Sequence, residues 1–167
     1  MQGSDRTAAP SRPTEPFRQE HAEIKKHLGH IDQMIGSLAA AAPVEQRETM
    51  ARVVRFFREH ILPHAEWEER VLYPVVDKRA GSGENRFTAA MRHEHVIVGR
   101  WTEELESRAE AATPDAERFS RHADQLLGLI LAHFECEEEV LLPILDWTMT
   151  SEDFQREIAS KGHPAGH

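Results

Sequence analysis

Apolar residues along this chain recur at steps of three and four rather than two, the spacing of helices with one buried stripe. From Phe17, the positions Ile24, Leu28, Ile31, Ile35 and Leu38 mark the inner stripe of a first helix, and His21 lies on it. Thr14 and Pro16 predict its start, a capping hydroxyl followed by a proline in the first turn. Alanines 39 to 42 and Pro43 turn the chain into a second helix, striped by Met50, Val53, Val54, Phe57, Ile61, His64, Glu68, Val71 and Leu72. A glycine-rich loop over residues 79–84 precedes a third helix with Phe87, Met91, His95, Val98, Trp101 and Leu105 along one face. Thr113 and Pro114, with Asp115 and Glu117 in the first turn, predict the start of a fourth, which carries Phe119, Leu126, Leu127, Ile130, His133, Glu137, Val140 and Leu141. Four elements of about 25 residues joined by short turns predict an all-α, up-down-up-down four-helix bundle. After Trp147, the segment TSEDFQREIAS predicts a short C-terminal helix capped by Thr150, with Phe154 and Ile158 four residues apart.

Three prolines bear on the helices. Pro63 falls inside the second, where it costs about 3 kcal/mol unless the helix kinks or restarts. Pro74 and Pro143 are expected to disturb the ends of the second and fourth. The expected organisation is a flexible N-terminal tail over 1–14, the bundle over 15–148, and a short helix with a flexible tail over 149–167 that includes His163 and His167.

The bundle carries an internal repeat. Residues 64–76, HAEWEERVLYPVV, return as residues 133–145, HFECEEEVLLPIL, with seven of thirteen positions identical at an offset of 69. Glu20-His21-Ala22-Glu23-Ile24 likewise returns as Glu94-His95-Val96-Ile97-Val98 at an offset of 74. The chain therefore reads as two helical hairpins of one pattern. In each HxxxE, the imidazole and carboxylate lie about 40° apart and one turn from each other on one helix face. Two such pairs facing each other form a nitrogen and oxygen cage suited to metal ions. About a pseudo-twofold axis, the hairpins would aim four His and two Glu at one internal point.

Composition narrows the reading. At 167 residues and 40% apolar content, the chain suits one domain with a real core. Its net charge of −9 disfavours nucleic acid and makes a cation the natural charged partner. No apolar run approaches the roughly 20 residues that span a bilayer, and the N-terminus lacks a signal-peptide core, which predicts a cytoplasmic protein with no membrane partner. The single cysteine, Cys136, excludes an internal disulfide and is expected as a small core residue. Trp67, Trp101 and Trp147 are expected to pack, and His27, His30, His93 and His122 to face solvent. Glu69 or Glu138 is placed to orient a ligand from outside the cage. His60, one turn before His64, is an open candidate for a further imidazole. No His has a Glu three residues before it, so the ExxH of ferritin-like bundles is absent; so are HExxH, a phosphate loop, a dinucleotide fingerprint, CxxC and a nucleophile elbow.

The ordered set of a lone His, HxxxE, a lone His and HxxxE resembles the hemerythrin-like, or HHE cation-binding, family over roughly residues 17–146. The resemblance implies a non-haem di-iron centre inside a four-helix bundle, with His21, His64, Glu68, His95, His133 and Glu137 as ligands. It implies two iron ions with a bridging oxide or hydroxide, and an open position for dioxygen, nitric oxide, peroxide or water. In oxygen-carrying members a second His follows the first by four on the third helix, where this chain has Gly99, and an Asp stands five after the His on the fourth, where it has Glu138. The function expected is binding of dioxygen or a related small ligand for sensing, storage or protection. The alternatives are an enzyme decomposing peroxide or nitric oxide, and a helical interaction module with a structural metal.

Overall fold

The computed structural model describes residues 12–83 and 86–162. The expected N-terminal tail, apart from residues 12–14, and both C-terminal histidines lie outside them. All regular structure among the described residues is helical. Helix α1 is Glu15–Leu38, α2 spans 43–79, α3 is Ala89–Ala109, α4 spans 116–148 and α5 is Ser151–Glu157. Helix α1 packs on α4 and α2, and α3 packs on α4 and α2. None of these helices is long and apolar enough to cross a membrane.

The stripes bury in two apolar clusters, except at Val140 and at Phe87, which precedes α3 and is exposed. One joins Ile24, Leu28, Ile35, Val53, Phe57, Ile61, Val98, Leu105, Leu126 and Phe134; the other joins Phe17, Trp67, Leu72, Tyr73, Met91, Leu142, Leu145 and Phe154. Along every long helix, the polar residues His21, His64, Glu68, His95, His133 and Glu137 fall between them. Burying them there is costly unless they satisfy one another or a shared ion.

The prolines neither end nor restart the helices. Each comes two residues after a π turn: Phe57–Ile61 before Pro63, Glu68–Leu72 before Pro74, and Glu137–Leu141 before Pro143. In these turns the N–H of Leu62, Tyr73 and Leu142 donates to the carbonyl five residues back, on Phe57, Glu68 and Glu137. The widened turn takes up the strain a proline ring puts on the carbonyl four residues earlier. Contrary to expectation, Pro74 and Pro143 therefore sit inside helices that continue to Arg79 and Thr148.

The inserted residue also rotates the rest of the helix. A residue five places on lies about 140° round an α-helix, but only about 40° round across a π turn, where it takes the place of the fourth. Tyr73 is thereby carried round to Glu137 and His95. Val140, expected inside, is instead 50% exposed.

Two clamps tie the helix ends together. Thr14 stands at the start of α1, but its hydroxyl does not cap the helix. It donates to Asp146 Oδ1 at 2.8 Å, as does its N–H at 3.1 Å, while Arg18 Nε donates to Thr14 Oγ1. Thr88, Asp77 and Arg92 repeat this at 2.9, 3.0 and 3.1 Å, at the same offsets of 74 and 69. Thr14 and Thr88 are fully buried. Asp146→Ala and Asp77→Ala, which leave those hydroxyls without an acceptor, are each expected to destabilise the fold by about 1–3 kcal/mol with metal binding intact. Urea midpoints and metal content of the variants check this.

Helix α4 is capped by Asp115, whose side chain accepts from Arg118 N, rather than by Thr113. At α5, Thr150 and Asp153 form a capping box, and Phe154 and Ile158 are buried against the second cluster. Two packing expectations fail. Trp147 is 90% exposed, and Cys136 is exposed although its repeat partner Trp67 is buried, because the long indole reaches Phe17 at 5.9 Å between ring centroids and a cysteine is too short to do the same.

Candidate metal centre

The helices bring all six candidate residues to one place. His21, His64, Glu68 and Glu137 offer one converging set of donor atoms, and Glu68, His95 and His133 a second, each set within 4.8 Å. His64 Nε2 is 2.8 Å from Glu68 Oε1, and His21 Nε2 is 3.6 Å from the same oxygen. On the other side, His95 Nε2 is 3.2 Å from Glu68 Oε2. Glu137 also reaches both sets, with Oε2 at 3.5 Å from His21 Nε2 and Oε1 at 3.7 Å from His133 Nε2. Both carboxylates therefore lie across the two sets, as a bridging ligand would.

The outer hydrogen bonds fix what these imidazoles present. His21 Nδ1 lies 3.2 Å from Glu138, His95 Nδ1 3.0 Å from Glu69, and His133 Nδ1 2.8 Å from Glu94. An ionised carboxylate only accepts, so each Nδ1 carries the hydrogen. In the neutral ring Nε2 is then a bare lone pair aimed inward. His95 Nε2 and His133 Nε2 face each other at 3.0 Å, and His21 Nε2 and His64 Nε2 at 3.2 Å. Lone pairs at that separation repel unless a cation or an extra proton sits between them. Among the described residues, both oxygens of Glu68 and Oε2 of Glu137 are buried and accept no hydrogen bond. Nitrogen and oxygen donors without protons between them are the donor set that borderline divalent and ferric ions take.

Without metal, protons take that role. Burial pushes the His21 imidazole down, but its hydrogen bond to Glu138 and the nearby carboxylates of Glu68 and Glu137 outweigh it and hold it at about 9. His133 is raised likewise, against its burial, by Glu68 and Glu94. Burial would raise Glu68, but His64, His133 and His21 hold it well below the carboxylate range. Burial and the charge of Glu68 hold Glu137 well above it. The hydrogen bond to His21 keeps Glu138 down at about 2.

Of the open candidates, Glu138 and Glu69 stand outside the cage as orienting residues, and His60 is exposed on another face beside Arg52, Arg55 and Phe56. His27, His30 and His93 are exposed, while His122 is half-buried with Nε2 at 3.1 Å from the Trp101 carbonyl. Sequence reasoning missed two residues. Glu94 is visible in the sequence as the acid before His95, with Glu20 at its repeat position. Tyr73 gives no such signal: it is fully buried, and its hydroxyl donates to Glu137 Oε1 at 2.6 Å.

A cavity of about 10 Å³ abuts the cage on the Glu68 side, walled by Ile61, Ala65, Val98, Ile130 and Phe134. That is about the volume one water-sized molecule needs.

The family model for the hemerythrin HHE cation-binding domain matches residues 12–145. Curated relatives include an iron-sulfur cluster repair protein YtfE from Enterobacter sp. strain 638, 22% identical over 138 residues, covering 74% of this chain and 63% of the relative. Another, of the same name from Cronobacter sakazakii, is 23% identical, covering 74% and 62%. This chain thus spans somewhat over three-fifths of the length of the curated relatives it matches. No solved structure gives a significant match.

Proposed function

Since this chain belongs to the hemerythrin HHE cation-binding family, we propose that His21, His64, Glu68, His95, His133 and Glu137 hold two iron ions joined by an oxide or hydroxide bridge. We take α1–α2 and α3–α4 as two hairpins of an up-down-up-down bundle over 15–148, with 1–14 and 149–167 as flanking segments. Four imidazoles and two carboxylates that reach both sets would give each ion about four donors, and would leave room for a bridge and one open position. Bound iron would supply there a redox-active site for dioxygen or a related small ligand, in sensing, storage or protection in the cytoplasm. The observation that carries this reading is the pair of facing imidazole nitrogens, His95 with His133 and His21 with His64, whose outer nitrogens are committed to acids in His95, His133 and His21.

The apolar cavity beside Glu68 supports a guest of one or two heavy atoms and no larger. Ala65→Val, whose two added carbons fill it, is expected to weaken nitric oxide binding to the reduced iron-loaded protein at least tenfold while iron content stays constant. Spectroscopic titration with nitric oxide tests this, and unchanged affinity would argue against a guest at that cavity. Sustained oxygen evolution from peroxide by the same preparation would instead favour an enzyme.

A second reading comes from the relatives' name, that this chain takes part in iron-sulfur cluster repair. The test is incubation of the iron-loaded protein with an enzyme whose cluster has been oxidatively damaged. Repair predicts recovery of that enzyme's cluster absorbance, and the small-ligand reading predicts none.

A further inference from the structure

Tyr73 breaks the symmetry of the centre. Its repeat position is Leu142, a side chain with no donor atom to offer. The π turn at Glu68–Leu72 carries Tyr73 round to the cage, and its ring lies stacked on His95 at 5.4 Å under the Arg92 guanidinium at 5.2 Å. The phenol oxygen is 3.3 Å from His95 Nε2, 3.3 Å from His133 Nε2 and 2.6 Å from Glu137 Oε1.

Those spacings are what a shared ion requires. Donor atoms about 2.1 Å from one ion lie about 3 Å apart when adjacent and about 4.2 Å when opposite. Around the second set, His95 and His133 are 3.0 Å apart, and Glu68 Oε2 is 3.2 and 4.0 Å from them. The phenol oxygen stands at adjacent-ligand distance from both imidazoles and from Glu137. Both imidazoles that it reaches belong to this second set, so its oxygen addresses one ion of the pair.

We propose that Tyr73 is a further metal ligand, binding through its phenolate oxygen only the ion held by His95 and His133, so that the two ions are chemically unlike. On binding, the O–H bond is replaced by an oxygen–metal bond and the proton leaves to water, as ligand protons do at metal sites. The proposal rests on the two-ion reading above, and adds that one half of the centre gains an oxygen donor which Leu142, at the repeat position, cannot supply to the other.

Tyr73 is the sole tyrosine of the chain, so a tyrosinate signal has one source. The test is visible absorption and resonance Raman of the full chain loaded with ferric iron, in wild type and Tyr73→Phe, with iron measured on the same samples. Wild type is expected to show a phenolate-to-ferric charge-transfer band and, on excitation into it, tyrosinate ring modes. Tyr73→Phe is expected to lose both in whatever iron it retains. Wild type holding two ferric ions per chain without tyrosinate modes overturns the proposal and leaves the two-ion reading standing, whatever the variant does. A wild-type chain that takes up no iron overturns both.

Discussion

Glu68→Ala is expected to empty both metal positions at once, taking bound iron from two ions per chain to a small fraction of one. Glu68 belongs to both donor sets, with Oε1 at 2.8 Å from His64 Nε2 and Oε2 at 3.2 Å from His95 Nε2. Its removal withdraws a charged donor from each ion and leaves Glu137 alone to neutralise two pairs of facing imidazoles. His64→Ala and His133→Ala, each on one side of the cage, remove a neutral donor from one ion and are expected to lower iron less than Glu68→Ala does. His122→Ala, outside the cage, is expected to leave it unchanged. Elemental analysis of the variants alongside wild type checks the order, and Glu68→Ala retaining full iron would remove the bridging role assigned to that residue.

The second large effect is that of metal removal, and its size depends on pH. In the metal-free chain His21 is held at about 9, above the 6.5 of an ordinary histidine. The folded state then keeps a proton that the unfolded chain gives up, so this group's stabilisation is complete below about 6.5 and lost as pH rises through about 9. Glu137, raised above 4.5, loses its contribution in the same direction. Glu68, lowered below 4.5, works in the opposite sense, and its contribution fades as pH falls below that value. Metal-free protein is therefore expected to be most stable at mildly acidic pH and to melt progressively lower from about pH 6.5 to about pH 9.5. Metal binding displaces those same protons, so affinity rises over that window. The gap in melting temperature between loaded and chelated protein is expected to widen with pH, from a few degrees near pH 6 to more than about 10 °C near pH 9. Calorimetry of both forms across that range checks it, and a gap that narrows with pH would show that protons and metal do not share the site.

Much of this is legible in the sequence for physical reasons. The apolar stripes follow from α-helical periodicity, and the repeat singles out His21, His64, Glu68, His95, His133 and Glu137, which the structure places together. The features that escape do so at departures from that periodicity. Tyr73 lies about 140° from Glu68 on an ideal helix, and only the π turn brings it back, just as the same kind of turn sends Val140 outward. The prolines mark those turns, but a proline alone does not distinguish a kink from a widened turn. The clamps formed by Asp146 and Asp77 pair residues 132 and 11 positions apart, a separation that helical periodicity cannot address. Their signal is the repeat itself, since Thr14 and Arg18 return as Thr88 and Arg92. The expectation that Trp147 packs rests on residue type alone, without regard to its face of the helix.

The claim on which the rest depends is that six buried side chains hold a pair of metal ions. It is tested most directly by transition-metal content per chain of protein purified without chelator and never exposed to added metal. Two iron ions per folded chain is the predicted result. A folded chain carrying no transition metal, and taking up none when iron is then supplied under reducing conditions, would contradict it.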